Sequence, residues 1–194
     1  MSSRDQTMPH RVVSREEWLT ARKAHLKNEK ALTRMRDLVP DISLRTTFIT
    51  GHPGETPKDF GELYEFVDWA QFDQMGAFVY SPEEFTPASK MKDTPTRKTA
   101  ERRRAKLMEL QQQISRARNE TKLGQTFDAI ITGACEETEH LLEGRLVGQA
   151  PEIDGRLLIN DGIDLLPSQL PAFARVEISD AHPYDVVGSV VAGS

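Results

Sequence analysis

The chain has 194 residues, 38% of them hydrophobic and 28% charged, with a formal net charge of −5. That length accommodates one ordinary domain or two small ones. No run approaches the ~18 apolar residues of a membrane span, and the polar start MSSRDQTMPHR does not read as a secretory signal. A single cysteine, Cys135, excludes an internal disulfide and any thiolate cluster made by these residues alone, and suits a reducing compartment.

The charge is unevenly spread. Residues 123–194 hold only 3 of the 25 Lys+Arg but 12 of the 30 Asp+Glu, a net of −9, against +4 for residues 1–122. The C-terminal third therefore reads as a separate acidic unit. Within it Cys135 reads as a small buried apolar residue rather than a reactive thiol.

In chain order, the first expected element is a helix over 13–38. In VSREEW, Ser14 is placed to cap it, Glu17 completes a capping box, and Val13 and Trp18 occupy the staple positions. Leu19, Leu26, Leu32 and Met35 form a thin apolar stripe, as on a surface helix, and the pattern stops at Pro40. ISLRTTFIT, residues 42–50, reads as a strand. The turn GHPGE follows, then Thr56 caps a helix with Pro57 at its first position and Asp59 in its first turn. Phe60, Leu63, Tyr64, Val67 and Ala70 recur at helical spacing. QMGAFVY, residues 74–80, returns to strand. Strand, helix, strand at this spacing predicts parallel strands with a right-handed crossover. Two such strands do not bury both faces, so apolar surface is expected on the flanks of the sheet.

SPEEFTPASKMKD reads as a loop. Thr94 and Pro95 then open a polar helix ending near residue 119, with Leu107, Leu110 and Ile114 on a narrow apolar face. Arg102, Arg103, Arg104 and Lys106 make it basic. It reads as a solvated connecting helix, with nucleic-acid contact as the alternative. From Leu123 the runs TFDAIITGA, RLLIN, ARVEIS and YDVVGSVV are separated by turn signals, the pattern of a small antiparallel barrel or sandwich of about five strands. The fold class is α+β. EETEH, residues 136–140, reads as a hairpin turn rather than a metal site, and His52 as a lone exposed loop histidine rather than a ligand or base.

RTTFITGHPGET, YSPEEFTPA, LMELQQQIS, GQTFDAII, GRLVGQAPEIDG and DAHPYDVVGSVV occur in that order. Over about residues 39–191 the chain resembles the C-terminal portion of the radical S-adenosylmethionine methylthiotransferases. The nearest subgroup modifies an aspartate of a small-subunit ribosomal protein. The resemblance implies that 41–92 are part of a radical-SAM (β/α) barrel, 93–122 a basic linker helix, and 123–194 a TRAM-like, OB-like β-barrel that holds the substrate. It implies that GHPGET ends a barrel strand beside S-adenosylmethionine, with Gly51, Pro53, Gly54 and Glu55 forming a wall of the pocket. Ligands do sit at the carboxyl ends of parallel strands in α/β folds. It also implies substrate docking by Pro151, Glu152, Ile153 and Asp154; plain turn chemistry at Asp154–Gly155 is the alternative.

In that family the cysteines of two 4Fe-4S clusters lie upstream, in a C-x-x-x-C-x-x-C loop and in a further N-terminal domain. No catalytic residue and no metal ligand is therefore assigned here, and neither cofactor is expected to bind this chain alone. Residues 11–37 resemble instead the opening helix of an uncharacterised thioredoxin-like bacterial family, which makes 1–40 a helical segment of foreign origin with a junction near Leu38–Pro40. His52, Phe85 and Gln149 depart from the methylthiotransferase pattern. Phe85 stands where glycine is usual, and such a glycine marks backbone that a Cβ strains.

An acidic barrel repels phosphate backbones and attracts a basic protein. The expected partner is thus a basic ribosomal protein of the small subunit, not tRNA. Three readings follow: a methylthiotransferase portion inactive by itself, a non-catalytic binding module, or half of a split enzyme whose second chain carries the cluster cysteines. No membrane association is expected, and the expected location is the cytoplasm.

Overall fold

The structure is a computed structural model that describes residues 31–40, 42–151 and 153–192, with Glu139 by its backbone only. The expected cap at Ser14, its staple and most of the thioredoxin-like segment lie outside the described residues. Residues 31–38 are helical (α1), and the Val39 N–H donates to the Met35 carbonyl at 2.9 Å. The described residues up to Ile42 and those from Ser43 onward belong to separate units; the remaining elements all belong to the second.

That unit opens with β1 (Arg45–Thr50), α2 (Pro57–Ala70) and β2 (Gln74–Val79). The strands are parallel, in register from Arg45↔Gln74 to Thr50↔Val79; β1 begins three residues later than the expected start at 42. Helix α2 starts where its sequence directs. The Thr56 hydroxyl accepts from the Asp59 N–H at 3.2 Å, and the Asp59 carboxylate accepts from the Thr56 N–H at 2.9 Å. It ends at Gln71, which takes a left-handed conformation and donates its N–H to the Val67 carbonyl.

Helix α3 (Arg97–Glu120) begins two residues after the expected Pro95, because Thr96 rather than Thr94 is the cap: its hydroxyl accepts from the Thr99 N–H. The helix is no solvated connector. Ala100, Arg103, Leu107, Leu110, Gln111, Ile114, Ser115 and Asn119 are buried, and the helix packs on β1, β2 and α2. The Thr50 hydroxyl donates to the Ala100 carbonyl at 3.0 Å, and the Gln111 amide donates to the Phe72 carbonyl at 2.9 Å. One face of the two-stranded sheet is thereby covered, with Thr50, Met75 and Ala77 turned inward. The other face is bare: Ile49 is 56% exposed beside its cross-strand partner Phe78 at 62%. The apolar flank expected from the sequence is there.

After α3 the chain forms β3 (Thr126–Cys135), β4 (Thr138–Leu146), β5 (Leu157–Asp161), β6 (Ala172–Ala181) and β7 (Val186–Val191). These close into a barrel in the order β3-β4-β5-β7-β6. The pairings are antiparallel except β5–β7, which is parallel. After β5 the chain crosses through 162–171 to lay β6 beside β3, and β7 then doubles back into the gap between β6 and β5. Alternate residues fill the interior: Ile131, Leu157, Ile159, Val176 and Val186 are fully buried, and Ile178 nearly so. Strand β4 was not among the expected strands. EETEH supplies a turn only at Glu136–Glu137, between the paired Cys135 and Thr138, and its last three residues open β4. Cys135 is buried, as expected for a small apolar residue. Phe85 has φ +68° and is 92% exposed, the left-handed backbone that its position in the sequence signalled.

The bare sheet face has a measurable consequence. The 194-residue polypeptide is expected to self-associate through Ile49 and Phe78, and an Ile49→Thr, Phe78→Thr variant to shift towards monomer in sedimentation. A wild-type chain that is entirely monomeric at high concentration contradicts this.

Candidate functional site

The turn after β1 is built from inside. Gly51 has φ +80°, and a Cβ there would lie 2.4 Å from the Cβ of Ala100, so both backbone and neighbour require glycine. The Gly51 N–H donates to Glu55 Oε2 at 2.8 Å, and the other carboxylate oxygen pairs with Arg103. Arg103 also donates to the Glu55 carbonyl at 3.3 Å and lies over the Phe60 ring, 5.4 Å from its centroid. Both side chains are largely buried, 7% and 12% exposed. A buried ion pair is costly to desolvate unless its remaining hydrogen-bonding capacity is met; here the Gly51 amide, a carbonyl and an aromatic face meet it. The Gly54 N–H donates to the Asp93 carbonyl at 3.1 Å, which ties the turn to the loop before α3.

The four expected pocket residues thus share one turn but not one ligand-facing surface. Gly51 lines an open groove of about 540 Å³ with Tyr80, Ser81, Pro82, Ser89 and Arg97. Pro53, Gly54 and Glu55 lie away from that groove, and the Glu55 carboxylate is engaged inward. His52 is exposed, as expected, with its ring edge-on to Tyr80 at 5.3 Å. Arg103 is the residue that reading the sequence missed. Grouped with its basic neighbours it looks like surface charge, yet Arg103, Leu107, Leu110 and Ile114 share one helical stripe, and that spacing marks it as inward.

The loop between β4 and β5 is also stitched internally. Gln149 accepts from the Leu146 N–H at 2.7 Å and donates to the Gly155 carbonyl at 2.8 Å. The Ala150 N–H donates to Asp154 at 2.6 Å. Asp154 itself, with its side chain 2% exposed, pairs with Arg45 at the start of β1. Gly155 is required by contact, since a Cβ there would fall 1.8 Å from the Tyr184 carbonyl oxygen. Of the expected docking residues, Pro151 and Ile153 are presented to solvent, Ile153 at 77% exposure. Asp154 is an inward anchor, and Glu152 lies outside the described residues. Arg45 and Gly51 stand at opposite ends of β1, about 20 Å apart at the rise of a strand. The docking loop and the turn are therefore two places, not one site.

The end of α3 touches both the barrel and the start of β2. The Asn119 amide donates to the His182 carbonyl at 3.0 Å, while Arg118 ties the same end of the helix to Asp73, just before β2, at 2.8 Å. Burial holds the Lys122 ammonium below the ordinary lysine value, with nearby Asp73 opposing the shift. Arg156 is held more firmly protonated than usual, chiefly by its hydrogen bond to Glu137, with Glu143 contributing. Among the described residues no group of His, Cys, Asp and Glu is placed to hold a metal ion. A lone buried Cys135 in β3 does not fit the thiolate set of an iron–sulfur cluster. No described helix is long and apolar enough to cross a membrane.

The barrel and its boundaries define the class: residues 123–191 match the TRAM domain family. The chain is also similar to "Ribosomal protein uS12 methylthiotransferase RimO" of Bdellovibrio bacteriovorus, 45% identical over 163 residues, which is 84% of this chain and 35% of that protein. The proteins of the same name from Anaeromyxobacter sp. strain K and Koribacter versatilis are 46% and 44% identical, over 83% and 84% of this chain and 34% and 32% of theirs. The chain spans about a third of the length of the curated relatives it matches. It is a RimO-like chain, related to the C-terminal portion of those methylthiotransferases.

Removing the Arg103 guanidinium with Arg103→Ala strands a buried carboxylate, so unfolding in urea should show a loss of about 3–5 kcal/mol; a loss below about 1 kcal/mol, the level of a surface pair, contradicts the tie. Asp59 gives a pH signature. Its hydrogen bonds to Thr56, backbone first, hold its carboxyl below the ordinary value. Its stabilising contribution is therefore present above the unfolded-state pKa and is lost as pH falls through the depressed folded-state value. Asp59→Asn should cost about 1 kcal/mol near neutral pH, and the gap from wild type should close in acid.

Proposed function

We infer that the chain serves as the substrate-holding and cofactor-flanking portion of a methylthiotransferase that acts on a ribosomal protein. The observation that carries this reading is the similarity to proteins named for uS12 methylthiotransfer across both the β1–α2–β2 unit and the barrel. In this reading the turn after β1 flanks the S-adenosylmethionine pocket, with Gly51 facing the groove and Pro53, Gly54 and Glu55 shaping the turn behind it. S-adenosylmethionine and iron–sulfur clusters supply the methylthio-transfer chemistry when bound. The residues of this chain contribute shape: Arg103 fixes the turn through Glu55, and Ala100 fixes where the backbone of Gly51 runs. The acidic barrel holds a basic small-subunit ribosomal protein, with Pro151 and Ile153 presented by the docking loop. The cluster cysteines have to come from outside these 194 residues, so the chain alone holds and does not catalyse. Its place of action is the cytoplasm, where ribosomal proteins are handled.

Two measurements test this together. Anaerobic reconstitution of the 194-residue chain with iron and sulfide should leave no bound cluster with thiolate-to-iron absorption. Immobilised chain should capture purified uS12, and added salt should weaken the capture. A stably bound cysteine-ligated cluster overturns the inactive-alone reading, and absence of capture at low salt overturns the ribosomal-protein reading.

A further inference from the structure

Helix α3 has a second face. With Arg103, Leu107, Leu110 and Ile114 buried, Lys98, Arg102 and Lys106 stand on the outward side at intervals of one turn, all three exposed. The other cations of the helix are engaged. Arg97 pairs with Glu101, Arg103 with Glu55, Arg116 with Glu120 and Arg118 with Asp73, and Arg104 donates to the Ala77 carbonyl at 3.0 Å. Lys98, Arg102 and Lys106 pair with no described residue. They run about 12 Å along the axis at the rise of an α-helix. Glu109 follows on the same face, so three cations there meet one acid. The helix exposes no large apolar side chain anywhere along its length.

We propose that the line of Lys98, Arg102 and Lys106 on α3 is a docking surface for an RNA phosphate backbone. The composition of the face selects this chemistry. A protein interface is built around an apolar core, and a helix lying on a membrane needs an apolar side; this face supplies neither. Nucleic-acid backbones are held instead by cations that displace condensed counterions, with amide donors beside them. Gln112 and Gln113 are exposed on either flank of the line as such donors. The inward ties of Arg103, Gln111 and Asn119 make the helix a fixed rod rather than a loose basic arm. The uneven charge of the chain, +4 over residues 1–122 and −9 over 123–194, keeps phosphates on α3 and off the barrel. The proposal goes beyond the functional reading and rests on it only for the source of the polyanion, the RNA that accompanies a ribosomal protein.

The test uses the whole 194-residue chain, wild type and a Lys98→Gln, Arg102→Gln, Lys106→Gln variant. The control is Lys58→Gln, Lys90→Gln, Arg175→Gln, which removes the same charge from exposed positions off the helix. The probe is a short fluorescent hairpin of small-subunit ribosomal RNA, titrated at several salt concentrations. Polyglutamate and phosphatidylserine vesicles stand for acidic proteins and membranes, and circular dichroism checks the fold. Wild type should bind the hairpin with an affinity that falls as salt rises. The stripe variant should bind at least about tenfold more weakly at low salt and flatten the salt slope by about 2–3, near one per cation removed. The control should keep most of the affinity. Equal losses in the two variants overturn the proposal. So does absence of RNA binding by wild type at low salt, or tighter binding of polyglutamate or vesicles than of RNA. Capture of uS12 is followed in parallel. Capture of uS12 without RNA binding overturns the stripe and leaves the functional reading standing; stripe-dependent RNA binding without capture supports the stripe and removes that reading.

Discussion

The buried pair between Arg103 and Glu55 is the constraint from which the first half of the larger unit takes its shape. A guanidinium and a carboxylate out of water are tolerable only when every other lone pair and proton is satisfied. That requirement brings the Gly51 amide, the Glu55 carbonyl and the Phe60 ring to one point. The turn takes its course because α3 holds it there, and α3 approaches that closely because position 51 has no side chain. A strand, a turn and a helix nearly fifty residues apart in sequence thus specify one another.

The same helix reaches the barrel. Arg103 sits near its first turns and Asn119 near its end, about 24 Å further on at the rise of an α-helix. Asn119 holds the His182 carbonyl of the β6–β7 turn there, while Arg118 pairs with Asp73 just before β2. A second tie runs from Arg45 at the foot of β1 to Asp154 in the β4–β5 loop. The barrel is thus attached at two points, to α3 through Asn119 and to β1 through Arg45. Under the proposed reading of the barrel as a substrate holder, a group grasped there is presented at a fixed place relative to the turn. The polar residues first read as contacts for outside molecules, Glu55 and Asp154, are spent on this internal geometry. Apolar side chains face outward at other points: Ile49 and Phe78 on the bare sheet face, Ile153 on the loop, Phe173 on β6.

Much of this architecture was legible in the sequence where a local signal had a single meaning. Thr56, Pro57 and Asp59 announced α2, alternation announced β3 and β5 to β7, and the unusual Phe85 announced a left-handed residue. Legibility failed where long-range contacts decide. EETEH reads as a turn over its whole length, so its last three residues, which open β4, were not counted as strand. Thr94 and Thr96 are equally good caps in sequence, and the choice depends on where α3 must run to meet Ala77 and Gly51. Arg103 was hidden among like charges although its helical phase pointed inward. Asp154 looked like turn chemistry, and partly is, but its partner lies more than a hundred residues earlier. No local pattern encodes that pairing.

The most direct test is amide hydrogen exchange at Gly51, read residue by residue in the intact chain. If α3 and Glu55 hold the turn as one cooperative unit, this loop amide should be protected to nearly the same free energy as the buried-helix amides around Leu107, and Arg103→Lys should lower its protection selectively. Exchange of the Gly51 amide at the rate of an exposed loop in the wild-type chain would contradict the account.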